Sequence, residues 1–193
     1  MEEDGTLGFS CACGTLRSRI TDVSPAAYTH IVCHCDDCRS AYTHLGQADP
    51  QRVGILQTTQ DRIHISQGGE KLRVLRHTSR GALRWYATCC DTPLFFTPLK
   101  ARLAHVGVNT DRLDDSVSIG KVTAEGFLPS RDGKHRHKGA ARMVARIASR
   151  ILAKNLSGEW RDTPFFDKAG APVVEPRILT REERAAALMA LGR

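Results

Sequence analysis

The stretch Cys33-His34-Cys35-Asp36-Asp37-Cys38-Arg39 decides how the rest of this chain is read. Three of the seven cysteines fall within it, directly behind the run His30-Ile31-Val32. A C-x-C-x-x-C cluster leaving a strand gathers three sulfurs around one point, because the short spacers let the backbone fold back on itself. Thiolate is a soft ligand that suits zinc, and three protein ligands leave a fourth position free. The other four cysteines form two pairs, Cys11/Cys13 and Cys89/Cys90. Short spacings inside each group and long gaps between groups are the pattern of metal knuckles that a fold brings together.

The totals agree with a metal-binding domain. A chain of 193 residues with 41% hydrophobic residues has enough apolar side chains for a real core, and 25% charged residues is ordinary for a soluble protein. No run approaches the length of a transmembrane helix, so no membrane association is expected. The start, Met1-Glu2-Glu3-Asp4, leads into no apolar segment of the secretory kind. The expected location is therefore a reducing cytoplasm, where cysteines serve as ligands or catalytic groups more often than as disulfides. Seven is also odd, so disulfides alone cannot use them all.

The net charge of +7 is uneven. Residues 1–130 hold 14 Lys/Arg and 14 Asp/Glu, whereas residues 131–193 hold 14 Lys/Arg and 7 Asp/Glu. All seven cysteines lie in the neutral part. The expected organisation is a zinc-binding β core over 1–130 followed by a basic helical extension and strap over 131–193.

Along the core, short alternating runs are punctuated by Gly, Pro and Asp. Thr15 to Ile20 follows the first cysteine pair, Tyr28 to Cys33 delivers the central cluster, and Arg39 to Leu45 reads as a short helix behind it. Runs at Val53–Leu56, Arg62–Ser66, Leu72–His77, Leu83–Tyr86 leading into Cys89–Phe96, Leu103–Val108 and 116–119 complete a mainly β, antiparallel set. After Gly133, Lys134-His135-Arg136-His137-Lys138 reads as a basic hinge. Met143, Val144, Ile147, Ile151 and Leu152 then recur at helical spacing, with Arg142, Arg146, Arg150 and Lys154 as a cationic row. Residues 159–177 read as an extended strap, and Thr180-Arg181-Glu182-Glu183 as a capping box opening a last helix.

The order C-x-C-G, then C-H-C-x-x-C-R, then Cys90-x-Thr92-Pro93-Leu94, over about residues 6–116, resembles the glutathione-dependent formaldehyde-activating enzyme family, whose fold is shared with the centromere protein V domain. Asp61-Arg62-Ile63, the Gly68-Gly69 turn, Val106-Gly107-Val108-Asn109 and Leu113-Asp114-Asp115 add to the likeness. From Ser130 on the chain departs from it, and Glu159-Trp160-Arg161-Asp162-Thr163-Pro164 resembles an uncharacterised sibling family. The resemblance implies a compact antiparallel β structure of the Mss4-like, β-tent kind with two zinc sites. It further implies a structural zinc on Cys11, Cys13 and Cys90, a catalytic zinc on Cys33, Cys35 and Cys38, and glutathione or another thiol as substrate. Where the family pattern has a cysteine three residues before Cys90, this chain has Ala87, and the extra thiol is Cys89. Two arrangements follow: Cys89 completes a four-sulfur site, or it faces the central cluster as a fourth ligand and closes it. The working assignment is the first, with Cys11, Cys13, Cys89 and Cys90 around one metal.

Other residues near the cluster have plainer readings. Asp36 and Asp37 are candidates for a general base or for caps of the turn. His34 sits between two ligands and is expected to point away. Arg39 is read either as pairing an anionic substrate or as neutralising a zinc–thiolate centre. The cationic row reads as the solvated face of a helix whose other face packs on the core, and nucleic acid is a possible but disfavoured partner. Two functions are carried forward. One is a zinc-dependent carbon–sulfur lyase acting on a glutathione or other thiol adduct of a small aldehyde. The other is a non-catalytic zinc-stabilised module whose basic tail engages a partner such as nucleic acid.

Overall fold

The computed structural model describes residues 5–114, 119–130 and 134–192. Its elements in chain order are β1 (Leu7–Ser10), β2 (Arg17–Ile20), β3 (Thr29–Cys33), α1 (Asp36–His44), β4 (Val53–Thr58), β5 (Ile63–Gln67), β6 (Leu72–Arg76) and β7 (Leu83–Ala87). There follow β8 (Thr92–Thr97), β9 (Val106–Asn109), β10 (Ala124–Pro129), β11 (His135–Lys138), α2 (Ala140–Ser157), β12 (Arg177–Ile178) and α3 (Arg181–Met189). The chain is mainly β, as its alternating runs require. β1, β2 and β5 make a three-stranded antiparallel sheet, and the others make a nine-stranded sheet in the order β11-β10-β3-β4-β9-β8-β7-β6-β12. The larger sheet is antiparallel through its middle and parallel towards its ends, where β10 pairs with β3 and β12 with β6.

The core lies between these sheets. Phe9 of β1 meets Phe95 of β8 edge-to-face at 4.8 Å, and Phe165 closes on Trp85 and Phe95 at 5.1 Å each. Such aromatic pairs add to the burial of large rings. Trp85 keeps its indole N–H satisfied by donating to Thr97 Oγ1 at 3.0 Å. A second, smaller apolar nucleus gathers Ile31, Tyr42, Val53, Ile55 and Ala124 around the central cysteines. Gly107 on β9 lets Phe96 lie across the strand, since a Cβ there would stand 2.0 Å from the ring.

Residues 134–192 enter this sheet and core in ways their sequence conceals. β11 occupies the run expected to be a hinge: all four residues are exposed, and it forms the outer strand of the large sheet. Within the run 159–177, Phe165 and Phe166 are buried in the main core cluster. α2 spans the expected helix, but three residues of its cationic row, Arg146, Arg150 and Lys154, face inward, contrary to the solvated face expected, while Arg142 is exposed. Arg146 donates to the carbonyls of Pro25 and Tyr28, Arg150 to Thr29 Oγ1 at 3.0 Å, and Lys154 meets Asp61 at 2.7 Å. The long aliphatic stems bury while their heads find oxygen partners. Of the large apolar residues of α2, Val144, Leu152 and Leu156 are exposed, at 58%, 61% and 80%. The capping box forms as expected: Thr180 accepts from Glu183 N–H at 3.1 Å, and the Glu183 carboxylate accepts from Thr180 N–H. The strand expected at 116–119 falls, over 116–118, outside the described residues.

Phe165→Ala removes the ring that docks the strap between Trp85 and Phe95. The expected loss in stability is about 3–5 kcal/mol. Urea unfolding of the variant checks this; a loss below about 1 kcal/mol would mean the strap does not share the core.

Candidate metal centres

The first cysteine group joins two turns. β1 and β2 pair with Ser10 opposite Arg17, and the loop between them carries Cys11 and Cys13. Gly14 takes the left-handed backbone (φ 73°) that closes this loop, donating to the Cys11 carbonyl at 2.9 Å. Leu16 N–H points at Cys11 Sγ at 3.3 Å. Cys89 and Cys90 come from the turn between β7 and β8, where Asp91 is also left-handed (φ 48°). Thr92 ties the two turns together: its hydroxyl accepts from Ala12 N–H at 3.2 Å and lies 3.0 Å from Cys90 Sγ.

The sulfurs converge. Cys89 Sγ is 3.3 Å from Cys13 and 3.6 Å from Cys11, Cys11 is 3.6 Å from Cys13, and the adjacent pair are 3.8 Å apart. All four lie within 4.8 Å of one another and could hold a metal ion. The structure thus places Cys89 with Cys11, Cys13 and Cys90, on a different turn from the central group. Cys11 is buried, whereas Cys13 and Cys89 are exposed. Hydrogen bonding to the Thr15 side chain and backbone, and then to Cys89 and Cys90, lowers the Cys13 thiol to about 6.

The central group sits where a strand meets a helix. Cys33 ends β3, Cys35 caps α1, and Cys38 lies in its first turn; Cys35 Sγ accepts from Cys38 N–H at 3.3 Å. Cys33 and Cys35 are 3.3 Å apart, and all three sulfurs lie within 4.8 Å. A helix N-terminus favours negative charge, which suits thiolates. Cys38 is held well below the usual thiol range, chiefly because Cys33 and Cys35 donate to it, with Arg84 adding a positive charge. Arg84 Nη1 lies 3.9 Å from Cys38 Sγ. Among the described residues no fourth His, Cys, Asp or Glu joins this group.

The neighbouring side chains separate into structural and facing groups. Arg39, read from the sequence as a charge partner for substrate or metal, is buried and bound to Asp49 through Nε at 3.0 Å and through a guanidinium nitrogen. Arg84 on β7 is the cation that faces the sulfurs, and nothing in its local sequence signals this. Asp36 lies 3.8 Å from Arg39. Asp37 lies 3.4 Å from His77 and 3.5 Å from Arg184 of α3, and hydrogen bonding to His77 lowers it to about 2. His34 turns to Glu125 at 3.5 Å.

The central cysteines line a cleft of about 460 Å³. The sheet contributes Ile31, Ile55, Gln57 and Phe96. The rest of the wall comes from β10, β11 and α2: Gly126, Phe127, His137, Ala140, Met143 and Val144. Phe127 sits in the left-handed region (φ 57°) at a register shift between β10 and β11, a strained position for a bulky residue. Its ring stands edge-on to His137 at 5.0 Å, and its N–H reaches His137 Nδ1 at 3.4 Å. His137, Phe127 and Met143 were not legible as site residues, because only the tertiary placement of β10, β11 and α2 beside β3 brings them to the cysteines.

The chain is mainly β and gathers its seven cysteines into two groups that could each hold a metal ion. Residues 5–176 match a family described as "Family of unknown function (DUF6151)", and the chain belongs to that family. No curated protein matches it. Among solved structures it is similar to a Rhodobacter sphaeroides protein described only as a structural-genomics target, at 19% identity and TM-score 0.44, over 60% of this chain and 96% of that one.

The two centres are separable by substitution. Cys89→Ser is expected to lower the metal content of the reduced protein by one equivalent and to lower its unfolding midpoint. Cys35→Ser is expected to remove one equivalent while leaving the core folded, because that group is tethered locally by β3 and α1. Elemental analysis with thermal unfolding checks both; equal destabilisation by the two variants would contradict the distinction.

Proposed function

We propose that this chain is a zinc-dependent enzyme of carbon–sulfur bond chemistry, acting on the adduct of a thiol and a small aldehyde. The observation that carries the reading is the central group: three converging sulfurs with no fourth described ligand, set in the wall of a cleft. Zinc suits both groups. A zinc–sulfur bond of about 2.3 Å places tetrahedral sulfurs about 3.8 Å apart. The closest pairs here run from 3.3 to 3.8 Å, far beyond the ~2.05 Å of a disulfide. Four thiolates closing on one ion suit a structural site, and three suit a site with an exchangeable position. The order of cysteine motifs within residues 6–116, which resembles the formaldehyde-activating enzyme family, supports the same assignment.

The reaction is balanced without a redox partner. In the forward direction a thiol sulfur bonds to the aldehyde carbon as the carbonyl π bond breaks, and the thiol proton passes to the oxygen. The lyase direction reverses this. Zinc, when bound, supplies a Lewis acid and keeps a thiol deprotonated near neutral pH. Cys33, Cys35 and Cys38 hold the metal, and Arg84 offsets part of the negative charge that three thiolates concentrate. His137 Nδ1 accepts from Phe127 N–H, which in the neutral ring leaves the proton on Nε2 as a donor. Lining the cleft, His137 is the group suited to hold or return a proton at the adduct oxygen. Phe127 and Met143 keep water from that oxygen.

The test is cobalt substitution. In the cobalt-loaded protein, a small thiol such as 2-mercaptoethanol is expected to shift the ligand-field bands, and Cys35→Ser to abolish that response. A spectrum indifferent to thiol would contradict the open site. For the proton role, His137→Ala is expected to lower kcat at least tenfold with KM little changed.

A further inference from the structure

We infer that the thiol component this site accepts is uncharged and apolar, and that glutathione is a poor fit. The inference rests on the open-site reading above and adds the class of substrate to it. The resemblance that points to glutathione covers residues 6–116 alone. Half of the cleft wall lies beyond that span, and it changes the chemistry of the site. Phe127, Met143 and Val144 bring apolar groups to the cysteines, opposite Ile31, Ile55 and Phe96 from the sheet. Among the described residues no Lys, Arg, Asp or Glu lines the cleft, and beyond the cysteines its polar side chains are Gln57 and His137.

Glutathione carries two carboxylates and an ammonium group. Any of these charges that enters the cleft would lose water with no opposite charge lining the wall to receive it, a penalty that an apolar wall cannot offset. Arg136 and Arg142, next in sequence to His137 and Met143, are exposed and do not line the cleft, and the other nearby cations are engaged elsewhere. Lys138 pairs with Glu125 at 3.3 Å, and Arg146, Arg150 and Lys154 on the inner side of α2 bond to the core. Arg39 is bound to Asp49. Arg84, which does reach Cys38, lines not the cleft itself but an adjoining cavity of about 20 Å³ that shares Cys38, Ile55 and Phe96 with it. Apolar walls around a few polar groups are what a pocket for a hydrophobic ligand requires. The two polar side chains suffice for the single oxygen of a thiol–aldehyde adduct.

The test uses the full-length, cobalt-loaded protein and reads the thiol concentration giving half the spectral change. Along ethanethiol, butanethiol and hexanethiol, affinity is expected to rise up to about fourfold per methylene until the cleft is filled. Benzyl mercaptan is expected to bind at least tenfold more tightly than glutathione. Val144→Asp, on an exposed helical surface where the fold tolerates it, is expected to cut the preference for benzyl mercaptan over 2-mercaptoethanol at least fivefold. Glutathione binding as tightly as benzyl mercaptan, or a flat alkanethiol series, overturns the inference while leaving the open site intact. A spectrum that responds to no thiol overturns the open site and the inference together.

Discussion

Everything in this fold depends on one long-range convergence of sulfur. Cys11 and Cys13 sit on the loop of the β1–β2 hairpin, Cys89 and Cys90 on the turn between β7 and β8, and 76 residues separate Cys13 from Cys89. Bringing those turns together brings the small sheet onto the large one, with Phe9 and Phe95 meeting just behind the sulfurs. Deprotonating all four of these thiols side by side is unfavourable without a cation, because the thiolates repel one another. A shared cation would reverse that sign, and folding and metal binding would then be one equilibrium.

The second group follows a different logic. Its sulfurs come from the end of one strand and the first turn of the next helix, so local geometry alone assembles them. What distinguishes it is its surroundings. β10 lies parallel to β3 and carries the strained Phe127 to the cysteines, while α2 lays Met143 and Val144 alongside. The inward cations of α2 fasten that helix to the β3 region, so the segment that walls the cleft is held by polar contacts to the core. A rigid cysteine turn is thereby paired with a wall contributed from distant sequence, and the wall decides what can approach the sulfur.

Much of this was legible in the chain, and the illegible part has a physical cause. Cysteine spacing is local, so three ligand groups and the strands leading to them could be read directly. The fate of Cys89 could not, since only tertiary turn geometry decides whether adjacent thiols face one way. Helical periodicity revealed α2 but not which face turns inward, because Arg and Lys carry both an apolar stem and a charge. Arg39 looked functional by adjacency and is bound to Asp49, whereas Arg84 reaches Cys38 from 46 residues away. β11 lacks any apolar alternation because both its faces are exposed.

The most direct measurement is zinc K-edge X-ray absorption on the reduced protein loaded with two equivalents. The account predicts one zinc with four sulfurs and one with three sulfurs and a light atom, a mean of about 3.5 sulfurs per zinc. Added thiol would raise that mean to about four, as the open position takes a sulfur. Four sulfurs at each zinc before thiol is added, or a single bound zinc, would contradict it.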